Sequence, residues 1–144
     1  MRKILIVITI ALFYSVTFAQ NVDFVKSNFK SNPDGFKTAY KQLQEGDSKY
    51  YTSFYTKALD SYLAANKFNP NNAELNAKIG DCYMHSPDKS KASKYFDKAY
   101  ELSKNLDGYY YFMMGKSYHF VNKFDAAIKY YKFSKSKKSK IKIK

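Results

Sequence analysis

The sequence is poor in the residues that cross-link a fold or carry out catalysis. Its 144 residues contain one cysteine, two histidines and no tryptophan, and its single arginine is Arg2. A lone cysteine cannot form an intrachain disulfide, so Cys82 is either buried or available for an intermolecular bond. We expect burial, because Cys82 falls within a predicted helix, where a thiol behaves as a small apolar side chain.

The first nineteen residues have the layout of an export signal. Arg2 and Lys3 precede an uncharged stretch, 4–19, which is shorter than the about 20 apolar residues of a transmembrane helix. It ends in Thr17-Phe18-Ala19, with small residues at the cleavage site. We predict a signal peptide at 1–19, the alternative being an uncleaved anchor. No cysteine stands directly after the stretch, where Gln20 is found, so no lipoprotein anchor is expected.

The net charge of +13 lies mostly at the C-terminus. Residues 132–144 hold seven lysines and no acidic residue, whereas 20–131 hold sixteen lysines against twelve acidic residues. We therefore predict a basic tail at 135–144. The tail is either a solvated end of the chain or a docking element for an anionic surface. In the second case each lysine would contribute about 1 kcal/mol of binding free energy.

Small and aromatic residues recur every 34 or 35 residues. Glycines open the pattern, an alanine, a ring and a second alanine follow, and a proline-containing turn at 69–72 separates two copies. The alanine and the ring stand four residues apart, so they share a helical face. The recurring positions are Gly46, Ala58, Tyr62, Ala65, Pro70, Gly80, Tyr83, Ala92, Phe96, Ala99, Gly115, Tyr118, Ala127 and Tyr131.

The recurring glycines predict close contacts between helices. Glycine inside a helix costs about 1 kcal/mol relative to alanine, so its repetition requires a neighbouring helix that a side chain would displace. We predict helices at 36–50, 54–67, 73–85, 89–102, 108–121 and 124–135. A short helix over 22–29, broken near 32–35, is expected to cap the first unit, since terminal units of such stacks need a cover.

These residues resemble the tetratricopeptide repeat (TPR), a 34-residue helix–turn–helix unit. The resemblance implies an all-α, right-handed α-solenoid with units 39–72, 73–106 and 108–134, together a TPR domain at 39–134 behind an N-terminal segment at 20–38. The match has departures: Lys49 replaces a usual aromatic, Ser134 replaces a usual alanine, and the usual tryptophan is absent at 42, 76 and 111.

No arrangement of side chains predicts an enzyme. His85 and His119 lack a carboxylate or thiol at ligand-like spacing, so we predict groove-lining rings rather than a metal site. A Cys82–His85 thiolate pair is the other candidate, and burial of Cys82 argues against it. The 15 tyrosines and 12 phenylalanines could stack on single-stranded nucleic acid, but the exported chain would lack arginine, the preferred reader of phosphates.

The resemblance also implies a concave ligand groove, lined by the first helix of each unit at positions two, five, nine, twelve and thirteen. Its composition, aromatic with a few charges, is typical of recognition surfaces. We expect truncation of Tyr50 or Tyr109 to reduce partner binding and to leave stability almost intact. The alternative is a surface covered by another domain of the same protein. The implied positions are Tyr40, Leu43, Asp47, Tyr50 and Tyr51, then Glu74, Ala77, Asp81, Met84 and His85, then Tyr109, Phe112, Lys116, His119 and Phe120.

Residues 76–100 are similar to the N-terminal repeat module of large envelope proteins of the OmpA-like family. The resemblance implies an exported, periplasmic or outer-membrane-associated scaffold without cofactor, catalytic residue or metal. Its expected partner is a protein, including envelope or secretion-machinery components, with no nucleic acid and at most peripheral membrane contact. Two alternatives stay open: a tether that uses the lysine tail with the repeats as spacer, and a truncated copy of a longer protein.

Overall fold

The computed structural model describes residues 20–137 and arranges them as three helical hairpins. Within that range six α-helices and no strand occur, so the prediction of an all-α fold is confirmed. The signal peptide predicted at 1–19 and the end of the lysine tail lie outside the described residues. The hairpins are α1 (Pro33–Tyr51) with α2 (Tyr55–Phe68), α3 (Ala73–Met84) with α4 (Ala92–Leu102), and α5 (Gly108–Phe120) with α6 (Phe124–Ser136).

The first helix of every hairpin begins at a side-chain cap. Asn32 accepts a hydrogen bond from the Gly35 amide at 3.0 Å, and Asn72 accepts one from the Leu75 amide at 2.8 Å. Asp107 caps α5 in the same way. Such caps satisfy amide groups that the first helical turn leaves without partners. The predicted break at 32–35 is therefore the start of α1, with Pro33 at its first position, where proline is favoured.

The second helices begin without side-chain caps, after tight turns. Ser53 and Asn122 have φ of 64° and 59°, the left-handed conformation that commonly closes a helix. In the first turn the Phe54 amide donates to the Lys49 carbonyl at 2.9 Å, and in the third the Lys123 amide donates to the Tyr118 carbonyl at 2.9 Å. The turn of the second hairpin is longer: residues 89–91 form a 3₁₀ turn, and α4 begins at Ala92 rather than at the predicted residue 89.

Each hairpin is closed by a ring from its second helix lying against a glycine of its first. A β-carbon at Gly46 would stand 2.4 Å from the Tyr62 ring, and one at Gly80 would stand 2.9 Å from the Phe96 ring. Tyr62 and Phe96 are fully buried, and burying a large apolar side chain stabilises a fold by about 1.5–3 kcal/mol. Glycine thus allows the two helices of a hairpin to approach around a large ring.

The N-terminal segment differs from the predicted capping helix. Residues 20–25 form no helix, and a single 3₁₀ turn follows at Lys26–Phe29. The Val22 amide donates to the Asn71 carbonyl at 2.7 Å, and the Val22 carbonyl accepts from the Asn69 and Asn72 side chains. The backbone and the asparagine side chains of the α2–α3 turn require partners, and the non-helical backbone at Val22 supplies them. The segment therefore fastens the junction of the first two hairpins.

Phe29 provides the cover that the prediction assigned to a helix. Its ring stacks on Phe36 of α1, with centroids 5.5 Å apart, and lies 5.0 Å from the ring of Phe68 in α2. Aromatic pairs at such separations add to the stabilisation from buried area. The beginning of α1 and the end of α2 are thus joined from outside the hairpin.

Candidate functional site: the face of the first helices

Helix α3 lies at the centre of the stack and is buried on all sides. Of its twelve residues, only Glu74 is exposed. Side chains from α1 and α5 cover the side of α3 that was predicted to face a ligand. The groove implied by the sequence is therefore filled in its middle by the protein's own rings.

A buried carboxylate joins all three hairpins at this point. Asp81 of α3 is fully buried, and its Oδ2 accepts hydrogen bonds from the hydroxyls of Tyr50 in α1 and Tyr109 in α5, the latter at 2.9 Å. A buried carboxylate is costly unless hydrogen bonds compensate it, and bonds to a charged acceptor are the stronger ones. Asp81 thus links α1, α3 and α5 through one oxygen atom.

His85 completes the surroundings of Asp81. Its Nε2 lies 3.5 Å from Asp81 Oδ1, the oxygen that accepts no hydrogen bond in the described structure. The imidazole also stacks on the ring of Tyr55, with centroids 4.1 Å apart and planes at 14°. His85 therefore closes the cluster towards solvent, and its position is set by a residue of the preceding hairpin.

The tyrosine hydroxyls of this cluster are held in the neutral form. Burial, followed by the negative charge of Asp81, raises the pKa of Tyr50 and of Tyr109 well above the usual value. Burial raises the pKa of Tyr110 in the same way, with Glu74 and Asp81 as further causes. Neutral hydroxyls are the donors that Asp81 requires, so the arrangement is one of structural hydrogen bonds.

A second polar group links the first two hairpins. Asp47 of α1 accepts a hydrogen bond from the Tyr62 hydroxyl at 2.7 Å and pairs with Lys78 of α3 at 2.8 Å. Lys78 also pairs with the exposed Glu74 at 3.2 Å. Burial lowers the pKa of Lys78, but its bond to Asp47 and the charges of Glu74 and Asp47 outweigh burial and raise the pKa overall. Lys78 is thus a buried cation whose charge is stabilised by Asp47 and Glu74.

Four of the residues predicted to contact a partner lie inside the protein. Asp81 and Ala77 have no exposed surface, and Tyr50 and Met84 are each 8% exposed. Tyr50 is buried where three hairpins meet and therefore has a structural role. We had expected its truncation to leave stability almost intact, and its burial indicates instead that truncation lowers stability. Tyr109 is half-buried and shares that role through Asp81.

The remaining predicted residues reach the surface. The rings of Tyr51 and Phe120 are 69% and 52% exposed, and those of Tyr40 and Phe112 are 38% and 40% exposed. Glu74, His85, Lys116 and His119 are also exposed, while Leu43 and Asp47 are half-buried. The structure therefore divides the predicted set into a buried floor and an exposed aromatic rim.

Sequence reasoning missed Tyr55, Lys78 and Phe124, which take part in contacts around this face. Tyr55 stacks on His85, Lys78 pairs with Asp47, and Phe124 lies edge-on to His119 at 5.5 Å. Tyr55 and Phe124 each open a second helix, 69 positions apart. The same repeat spacing that located the glycines would have aligned them, although neither is at a usual signature position.

The thiol of the candidate Cys82–His85 pair lies in the core. Cys82 is a fully buried thiol; burial, followed by the charge of Asp81, raises its pKa, which opposes formation of a nucleophilic thiolate. Between residues 20 and 137 no group of three or more potential ligand side chains is placed to hold a metal ion.

The comparisons with known proteins agree with the architecture. Residues 73–106 and 108–132, which cover the second and third hairpins, match the family model of the tetratricopeptide repeat. The fold is a tetratricopeptide-repeat solenoid. The first hairpin lies outside the matched ranges, yet its glycine–ring contact between Gly46 and Tyr62 repeats that of the second TPR unit.

Solved structures include similar solenoids. A crystal structure of MamA matches this chain with a TM-score of 0.60 and 20% identity, over 76% of this chain and 64% of that one. The chain thus spans less than two thirds of the length of MamA, and at this identity the similarity is one of fold. No curated protein matches the sequence significantly.

Among the helices that the structure describes, none is both long and apolar enough to span a bilayer.

Proposed function

We propose that the chain is an exported, non-catalytic scaffold that binds a partner protein through the exposed rim of its first helices. The observation that carries the proposal is the exposure of Tyr51, Phe112 and Phe120 on that face. All three rings belong to first helices, and aromatic side chains dominate the energetics of protein interfaces.

The buried floor supports the rim. Tyr50 and Tyr51 are neighbours on α1, with ring centroids 5.7 Å apart, and Tyr50 is fixed to Asp81. A contact surface held on rigid helices loses little conformational entropy on binding. The Asp81 cluster therefore presents the rim in a fixed arrangement, which is the contribution expected of a scaffold.

Export and envelope association are part of the proposal. Their support comes from the sequence: the basic start at Arg2 and Lys3, the uncharged stretch to Ala19, and the resemblance to repeat modules of OmpA-like envelope proteins. Cell fractionation with N-terminal sequencing tests them. We expect an exported polypeptide that begins at Gln20, and a protein retained in the cytoplasm with Met1 intact would contradict export.

Site-specific photo-crosslinking tests the binding face. A photoreactive phenylalanine analogue is placed at Tyr51 or Phe120 in the full chain, and at Asp60 or Glu101 as matched exposed positions on second helices. We expect one discrete adduct with a partner protein from the first-helix positions and none from the controls. Equal labelling from all four positions would reject the rim as the binding face.

A further inference from the structure

The two junctions between hairpins repeat one contact. At the first junction, Tyr55 at the start of α2 stacks on His85 just after α3, with centroids 4.1 Å apart. At the second, the Lys89 ammonium lies 6.0 Å from the centroid of the Phe120 ring at the end of α5. The residue that opens the second half of one hairpin thus lies beside the ring at the end of the first helix of the next.

The third member of this series is Phe124, and it is exposed. Phe124 follows Tyr55 by 69 positions and opens α6, with 53% of its surface accessible. Ile128, one turn later, is 51% exposed, whereas Leu59 at the equivalent place in α2 packs against the core. The end face of α5 and α6 therefore carries the apolar surface that buries a following helix at the earlier junction.

A carboxylate at the equivalent position, Asp47 or Asp81, joins neighbouring hairpins at both junctions, and the third residue at this position has the opposite charge. Asp47 of the first hairpin pairs with Lys78 of the second, and Asp81 of the second accepts from Tyr109 of the third. The equivalent residue of the third hairpin is Lys116, which is exposed. An acceptor has become a cation, so the complementary residue on a following helix would be a carboxylate.

The opposite end of the stack is built differently. The side of α3 that faces the first hairpin carries Leu75, Lys78 and Cys82, all buried. The equivalent residues of α1 are Lys41, Gln44 and Ser48, which are hydrophilic and exposed. A polar outer face is typical of a terminal unit, so α1 of a second copy is a poor occupant for the apolar end face.

We infer that the end face of α5 and α6 binds an acidic amphipathic helix of a partner protein, in the place of a further first helix. Its buried stripe would follow the three–four spacing of Leu75, Lys78 and Cys82 in α3, with a ring against Phe124 and a carboxylate against Lys116. The exposed Lys132 and Lys135, four and seven residues after Ile128 on the same side of α6, favour acidic residues on its flanks. The site shares Lys116 with the exposed face of the first helices but does not include Tyr51, and it specifies the chemical class of its partner.

The probe is a synthetic acidic helical peptide with that stripe, titrated against the chain from residue 20 by fluorescence anisotropy. We expect saturable binding that Ile128→Asp weakens by roughly tenfold or more. Lys116→Glu should weaken it as well, and a peptide with lysine at the facing position should restore the affinity. Phe54→Ser is the matched control, because Phe54 is 57% exposed beside Lys57 at the other end of the stack.

Three results would overturn the inference. The first is a dissociation constant for the peptide above about 1 mM. The second is equal affinity for a scrambled peptide. The third is an Ile128→Asp variant that keeps its helical content and binds the peptide as tightly as the unchanged protein. Self-association that both Ile128→Asp and Tyr51→Ser abolish would instead assign the face to a second copy. If the peptide fails while Tyr51 still crosslinks to a partner, the end-face site is wrong and the scaffold proposal stands.

Discussion

The backbone of Gly80 lies directly against the ring of Phe96, so close that a β-carbon at residue 80 would stand 2.9 Å from a ring carbon. The same relation, sixteen residues apart, joins Gly46 to Tyr62 and Gly115 to Tyr131. The ring is fully buried in the second hairpin and has no empty space to move into, since protein interiors are close-packed. Each hairpin therefore depends on the absence of one side chain.

Gly80→Val should destabilise the protein. The added branches overlap Phe96, and overpacking of a filled core costs about 1–3 kcal/mol. Urea denaturation followed by circular dichroism measures the change, with Gln44→Val at an exposed position of α1 as the control, expected within about 0.5 kcal/mol. Equal midpoints for the two variants would show that the close contact does not hold the hairpin together.

Tyr50→Phe should reduce stability, because it removes one of the two hydroxyls that donate to the buried Asp81. Hydrogen bonds to charged groups contribute about 1.5–3 kcal/mol. Tyr51→Phe, at the exposed neighbouring position, is the matched control and should leave the unfolding midpoint unchanged. A Tyr50→Phe variant as stable as this control would exclude the Asp81 bond as a link between hairpins.

Alkaline pH should unfold the protein. Burial and nearby carboxylates raise the pKa of Tyr50, Tyr62 and Tyr109, and burial with the charge of Asp97 raises that of Tyr130 to about 12. The unfolded value is about 10, so the folded state holds these protons more tightly. Their stabilisation is complete below pH about 10 and is lost as the pH rises through the folded values.

Tyrosinate absorbance and helical circular dichroism, recorded in one titration, measure this effect. We expect part of the absorbance change to coincide with the loss of helix. Complete tyrosine ionisation with the helices intact would contradict the raised pKa values.

The helices could be predicted from the sequence because their signals are local. Periodic alanines and rings placed all six helices, and Pro70 with its neighbouring asparagines marked a turn. The boundaries were wrong where an unusual turn intervened, as at residues 89–91, where the chain forms a 3₁₀ turn before α4. The first helix starts earlier than expected because Asn32 caps it.

The binding face was harder to predict because exposure depends on how the units pack together. Register alone places Asp81 on the concave side of α3, and only the arrangement of Tyr50 and Tyr109 around it shows that this position is buried. The non-helical path of residues 20–25 could not be predicted from the sequence pattern either, since its hydrogen bonds join Val22 to residues about fifty positions away.

Cys82 should resist modification in the folded protein. It is fully buried, and burial raises the pKa of its thiol, so both access and thiolate formation are suppressed. Reaction with a thiol-specific chromogenic reagent near pH 8 should be slow and should accelerate in urea in proportion to the unfolded fraction. A native rate equal to that of the denatured chain would place Cys82 at the surface.

The most informative substitution in the polar link between hairpins is Asp47→Ala. Lys78 is mostly buried and pairs with Asp47 at 2.8 Å, and loss of one partner of a buried pair costs about 3–5 kcal/mol, since the other charge stays behind. Asp47 is itself 31% exposed on its side chain, which allows water to reach the pair, so we expect a cost at or below the lower end of this range. Glu74→Ala removes the exposed partner of the same lysine and should change stability by at most about 1 kcal/mol.

Lys78→Met in the Asp47→Ala background separates charge from packing. The methionine fills the space of the lysine stem without a buried charge, so we expect it to recover much of the lost stability. Chemical denaturation of the single and double variants measures the coupling between the two positions. If Lys78→Met brings no recovery, the loss arises from the Tyr62 hydroxyl, which also donates to Asp47, and the link between the hairpins is a hydrogen bond rather than an ion pair.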